Sequence, residues 1–227
     1  MARRRTRPPR PRSLFVWDLP TRLFHWVLVG LVLLAYLTGR LGGNAMELHL
    51  RAGEAILALL LFRLAWGFLG STASRFSSFA AGPRAVWRYA RTLFVRPTPP
   101  HPGHNPLGGW SVLAMLALLF VQAGTGLFAN DDIFFTGPLY PWVSKAASDR
   151  LTRIHLLNRW ILAATACVHI AAVLFYLLYK RENLILPMIT GKKRWRGGPP
   201  PPMRRASTVL AFLLALASCG AAWLLVR

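Results

Sequence analysis

Five long apolar stretches, at about 22–39, 50–70, 108–129, 155–179 and 206–226, interrupt a chain whose charged residues gather between them. A bilayer core of about 30 Å takes roughly 20 apolar residues of helix, so each stretch is long enough to span. The first follows basic residues, and Arg3-Arg4-Arg5 has the look of a twin-arginine signal. Arg22, His25 and Trp26 lie near its start, however, and no small-x-small cleavage site follows, so it reads as a span. The pattern predicts an all-α integral membrane protein without internal repeats. Its parts are a basic cytoplasmic tail (1–13), a helical membrane domain (14–195), a basic, Pro-rich linker (196–205) and an additional C-terminal transmembrane helix (206–227). Residues 1–12, rich in Arg and Pro, read as a disordered tail that holds the N-terminus inside.

Composition removes the competing classes. Of 227 residues, 54% are apolar and 15% charged, whereas a soluble domain carries about a quarter charged residues. A disordered basic protein would lack the 13 Phe and 9 Trp. The formal net charge of +21 raises the question of nucleic acid. Its distribution answers it. The segments before the first span (with Arg22), between spans two and three, and after span four hold twenty Lys and Arg, against six in the alternate segments. That asymmetry places the N-terminus in the cytoplasm and, after five spans, the C-terminus in the periplasm of a bacterial inner membrane. The charge is then a topology signal and an attraction to anionic inner-leaflet lipid, with no nucleic-acid partner. Cys167 and Cys219 lie inside apolar runs, and no Cys-x-x-Cys-His site for covalent haem is present.

Histidine carries the chemistry. Four of the six, His25, His49, His155 and His169, fall in or at the ends of spans, where ionisable side chains are rare and usually functional. Neutral imidazole suits iron, and haem iron takes axial histidines. His155 and His169 are 14 residues apart, which returns them to within about 40° of one helix face, separated by about 21 Å. Leu162 lies midway on that stripe with Ala163, Ala166 and Cys167 beside it, small enough for a flat macrocycle to approach. Depth matching pairs His25 with His169 near the inner side and His49 with His155 near the outer side, giving two bis-histidine haems. Gly39 repeats the same interval after His25, so it faces the outer haem level and leaves room there. Arg63 repeats it after His49 and faces the inner level as a propionate partner. Arg159, one turn beyond His155, is a weaker candidate at the outer level. Zinc is disfavoured, because the paired imidazoles lie about 20 Å apart on one helix without thiolate or carboxylate company.

Two features remain less tidy. His169 lies about three helical turns before Lys180, whereas His25 lies within about one turn of Arg22. The fourth helix is therefore expected to project past the membrane with Tyr176 and Tyr179 in the headgroup layer. His101 and His104 lie in a Pro- and Gly-rich inner loop before an Asn105-Pro106 helix start. They read as capping or surface residues, with a cytoplasmic-side proton or quinone site near the inner haem as the functional alternative.

At these residues the chain resembles the prokaryotic cytochrome b561 family, which includes b-type cytochrome subunits of nickel–iron hydrogenases. The resemblance covers about 14–195. It rests on Val16-Trp17-Asp18-Leu19-Pro20-Thr21-Arg22-Leu23-Phe24-His25-Trp26, on Arg63 to Gly67, on Gly103-His104-Asn105-Pro106-Leu107-Gly108-Gly109-Trp110, and on Asn183-Leu184 through Met188-Ile189-Thr190-Gly191. It implies a four-helix bundle holding two b haems, with ligands falling on His25, His49, His155 and His169. The fifth helix and the long basic N-terminus depart from the minimal family pattern.

The expected function is a membrane electron-transfer cytochrome working between the quinone pool and a redox partner, either a periplasmic c-type cytochrome or another redox subunit. An electron carrier is favoured over a stand-alone oxidoreductase. Two alternatives stay open: a quinol-dependent oxidoreductase acting on superoxide or a ferric complex, and a haem-containing anchor for a hydrogenase-like or molybdenum enzyme. Ion transport is disfavoured, since Glu54 stands alone in its span. The external 130–153 segment, with Phe134, Phe135, Tyr140 and Trp142, reads first as a cover over the outer haem and an interfacial anchor, and second as a docking surface.

Overall fold

A computed structural model describes residues 12–96, 98–195 and 198–227. Most of the stretch read as a disordered basic tail, and Arg196 and Gly197 of the linker, lie outside the described residues. Arg12–Phe15 forms a short strand, β1, that begins inside the stretch read as tail. Helix α1 (Leu19–Leu41) starts where Asp18 accepts from the Thr21 amide at 2.9 Å and Pro20 occupies the first turn, an arrangement that satisfies one orphan donor and removes another. Helix α2 (Ala45–Leu69) returns across the layer. A one-turn helix α3 (Phe76–Phe79) and a short amphipathic helix α4 (Pro83–Arg91) follow. Asn105 caps α5 (Pro106–Gly126) by accepting from Gly108, as the Asn-Pro pair predicts. Ser144 caps α6 (Lys145–Leu178), α7 spans Ile185–Thr190, β2 spans Lys192–Trp195, and α8 spans Thr208–Leu225.

Five of these helices, α1, α2, α5, α6 and α8, are long and apolar enough to cross a membrane. They match the five stretches read from hydropathy to within about five residues at each end, except at the start of α6. α6 begins ten residues before the expected start, so about 15 Å of helix precedes His155. Its inner end differs too. Tyr176 is buried against neighbouring segments, while Tyr179 is partly exposed under Arg96.

α2 is the central element. It packs along α1, α8 and α5, while α6 packs on α5. Leu60 and Trp66 of α2 are fully buried against Phe24, Leu116, Leu119 and Ala211 from three neighbours. Within a bilayer such contacts act through packing and interhelical hydrogen bonds rather than the hydrophobic effect. Polar links of this kind are present: Asn158 of α6 donates to Leu118 O at 2.9 Å and to Gln122 Oε1 at 2.8 Å on α5.

At one end of the helices, β1 pairs antiparallel with β2, Arg12 opposite Trp195 and Phe15 opposite Lys192. Gly191, at φ +79°, turns the chain from α7 into β2, and its carbonyl accepts from the Val16 and Trp17 amides. A small cluster of Leu14, Val16, Trp17, Ala73 and Trp195 packs beneath this ribbon. The start of α1 is thereby held between the segments that follow α2 and α6, with Thr21 Oγ1 and Ser74 Oγ 2.7 Å apart.

Candidate functional site

The outer pair is brought together. The His49 and His155 ring centres lie 6.1 Å apart with their planes at 83°. Each ring is oriented by a backbone carbonyl of the neighbouring helix. His49 Nδ1 lies 2.8 Å from Ala35 O of α1, and His155 Nδ1 lies 2.9 Å from Gln122 O of α5. A carbonyl only accepts, so Nδ1 carries the proton in both rings and Nε2 keeps its lone pair. Metal-binding imidazoles are commonly held in this way. The spacing also suits a shared metal: two metal–nitrogen bonds of about 2 Å, with ring centres about 1 Å behind each nitrogen, set the centres roughly 6 Å apart. One group intrudes. Gln122 Nε2 sits 3.1 Å from His155 Nε2 and must turn aside for that nitrogen to bind iron.

Glycine makes this placement possible. A Cβ on Gly39 would come 2.9 Å from His49 Nδ1, so the room expected there is filled by the imidazole itself. Gly126 plays the same part for His155, whose Cε1 would lie 3.0 Å from an added Cβ. Arg159 is close by in sequence, its guanidinium over the Trp160 ring and its Nε shielded without a partner among the described residues.

The inner site is built differently. His25 of α1 and His169 of α6 are both half-buried, and no ring contact like that of the outer pair joins them. His25 meets Trp26 edge-on at 4.9 Å, and its Nδ1 is shielded without a partner among the described residues. Arg63 is 4% exposed. Its guanidinium lies 4.9 Å from the Phe76 ring centre, and Nη1 has no partner among the described residues. A buried cation with an open donor fits an anionic group such as a haem propionate.

His104 corrects the sequence reading. The cap is Asn105, and the half-buried His104 turns its ring inward rather than to the open surface. Its ring lies 4.7 Å from both Trp17 and Phe79, and its Nδ1 is sealed from solvent. Burial, reinforced by the charges of Arg63, His169, Lys193 and His25, pushes its pKa down to about 3. The imidazole is therefore neutral at physiological pH. His101 keeps the peripheral role expected, its Nδ1 3.0 Å from Pro99 O and its ring edge-on to Tyr89.

Sequence reasoning missed Gln122, Gly126 and Asn158, and set His104 at the periphery. Gln122 and Asn158 carried a usable signal, as amides inside apolar runs. Gly126 carried none.

A chain of membrane-length helices that brings two imidazoles together between them has the make-up of a b-type cytochrome, a protein that carries electrons on haem b. Residues 16–191 match the prokaryotic cytochrome b561 family, and the chain belongs to that family. Among curated relatives, a probable Ni/Fe-hydrogenase B-type cytochrome subunit of Rhizobium leguminosarum bv. viciae is 24% identical over 220 residues, covering 82% of this chain and 90% of its own. The similarly described protein of Azotobacter vinelandii is 27% identical, covering 81% and 88%. The probable Ni/Fe-hydrogenase 1 B-type cytochrome subunit of Escherichia coli K12 is 20% identical, covering 86% and 96%. No solved structure matches the chain.

Proposed function

We propose that this cytochrome holds two bis-histidine b haems, His49 and His155 ligating the outer one and His25 and His169 the inner one. The single observation that carries the reading is the outer imidazole pair, 6.1 Å apart and each oriented through Nδ1. The four haem-bearing helices are α1, α2, α5 and α6, and α8 is an addition packed on α2. Arg63 faces an inner propionate, Arg159 an outer one, and Gly39 gives His49 its space. When bound, the haems supply one-electron redox chemistry, and bis-histidine ligation leaves no open iron position. The chain fixes the ligand tautomers, excludes water and sets the local charge. His155 and His169 are 14 residues apart on one helix, about 21 Å, which carries electrons most of the way across the membrane.

The route runs between the quinone pool and a redox partner in a bacterial inner membrane, with the N-terminus inside and the C-terminus outside. The relatives are described as Ni/Fe-hydrogenase cytochrome subunits, which favours another redox subunit over a periplasmic c-type cytochrome as that partner. Pyridine haemochrome quantitation of the purified chain tests the haem number, with two per polypeptide expected. Redox titration of the four His→Ala variants tests the pairing. His25→Ala and His169→Ala should remove one spectral component, and His49→Ala and His155→Ala the other. A shared loss in the His25 and His49 variants would overturn the assignment. Quinol-dependent haem reduction by the isolated protein would favour an oxidoreductase in its own right over a subunit that only wires another enzyme.

A further inference from the structure

We propose that His104 is a positioning residue that donates a hydrogen bond to a carboxylate of the inner haem, side by side with Arg63. This rests on the inner-haem reading above. The inner-haem reading takes His25 and His169 as ligands and leaves His104, an imidazole with a sealed Nδ1, without a role. His25 and His169 belong to α1 and α6, whereas His104 sits on the rigid turn before α5, wedged between Trp17 and Phe79. Asn105 fixes that turn, its Oδ1 accepting from Gly108 and its Nδ2 donating to Tyr176 OH. The ring is therefore placed by its neighbours, and its sealed Nδ1 has no partner among the described residues.

Arg63 supplies the second half of the site. Phe79 is a neighbour of both groups, its ring centre 6.0 Å from the Arg63 guanidinium and 4.7 Å from the His104 ring. The carboxylate within electrostatic range of Arg63 is Asp18, which makes no ion pair with it and spends Oδ1 on the Thr21 cap. A buried guanidinium and a neutral imidazole, both with open donors, are suited to one anionic oxygen acceptor. The haem carboxylate is the acceptor of that chemistry which the family's own cofactor brings. A neutral donor is the useful companion to Arg63, because a second cation would repel it. The low pKa of His104 agrees with that role.

The test uses the full chain in detergent, with haem labelled by carbon-13 at its propionate carboxyls. In the parent protein, the redox difference infrared spectrum should contain a label-sensitive carboxylate band. His104→Leu should shift that band and move the inner haem's reduction equilibrium about three- to tenfold toward ferric, tenfold being about 59 mV for one electron. The outer haem should not move, and both haems should stay low-spin. His104→Gln, which keeps an N–H donor, should restore most of the parent potential. Loss of the low-spin inner haem in both variants would make His104 an axial ligand and overturn the proposal. An unchanged potential and carboxylate band in His104→Leu would overturn it equally. Should His104→Leu fail to fold, the parent spectrum still decides, since a redox difference spectrum without a label-sensitive carboxylate band refutes the contact. Fewer than two haems in the parent protein would count against the di-haem reading itself.

Discussion

The hydroxyls of Tyr89 and Tyr176 lie 2.7 Å apart, joining the amphipathic α4 to the inner end of the histidine-bearing α6. Asn105 Nδ2 donates to Tyr176 OH at 2.9 Å, so the start of α5 is drawn into the same buried network. Two further links run in parallel, Tyr179 OH to Phe94 O and Lys180 Nζ to Val95 O. The segment after α4 is thus strapped across the end of the helix that carries His169. On the side away from α6, Arg84, Arg88 and Arg91 share one face with the exposed Trp87 at its flank, the composition of a helix suited to an anionic membrane surface.

Removing either hydroxyl should loosen this strap. Tyr89→Phe is expected to cost about 1 kcal/mol, and Tyr176→Phe somewhat more because it strands two partners. Alkali should do the same without mutation. Burial, and then the bond to Tyr176, raise the Tyr89 pKa. An acid whose folded pKa is raised lends stability that is full below its unfolded value, about 10, and lost as pH rises beyond it. Thermal melts between pH 8 and 11 should show a steeper alkaline loss in the parent protein than in Tyr89→Phe. Parallel curves would show that the pair contributes nothing.

The spans, and the shared face of His155 and His169, were legible because their signals are local or periodic. Apolar length marks α1, α2, α5, α6 and α8, and a regular four-turn interval sets His155 and His169 on one face. Other features depend on distant chain. β1 precedes the first span and β2 follows the fourth, and each four-residue strand alone is too short to read. α4 is nine residues in a loop dominated by Pro, Gly and Arg, where amphipathicity is masked by breakers. His104 looked peripheral because its neighbour is a helix cap. Its burial comes from Trp17 and Phe79, which no local pattern connects to it.

His104 also predicts an acid limit to stability. Its folded pKa of about 3 lies below the ordinary histidine value. The stability linked to its neutral form is complete above about pH 6.5 and lost as pH falls toward 3, at most roughly 1.4 kcal/mol per pH unit. His104→Leu cannot take up that proton, so its melting temperature should fall less steeply between pH 6.5 and 4. An identical acid slope in both proteins would contradict the burial of this imidazole.

Topology gives a third expectation. Reporter fusions after residue 95 or 195 should read cytoplasmic, and those near residue 135 or at the C-terminus periplasmic. In nanodiscs, Trp87 at 68% exposure should be quenched by lipid labelled at the headgroup boundary but poorly by a deep acyl label. A C-terminal fusion reading inside would mean that α8 does not span.

The two glycines behind the outer imidazoles give a prediction that separates the haem sites. A methyl on Gly39 would press on His49 at 2.9–3.0 Å, and one on Gly126 would press on His155 Cε1 at 3.0 Å. Each contact is tighter than a ring held by a carbonyl can yield without turning, because Ala35 O fixes His49 and Gln122 O fixes His155. Gly39→Ala and Gly126→Ala should therefore tilt one outer ligand apiece and leave His25 and His169 untouched. The expected result is a changed electron paramagnetic resonance signal and lower occupancy for one haem only, the one removed by His49→Ala. Gly30→Ala on the same α1, where an added Cβ meets nothing within 4 Å, is the control and should leave both haems as they are. If Gly39→Ala altered the haem removed by His25→Ala instead, His49 would not belong to the outer pair.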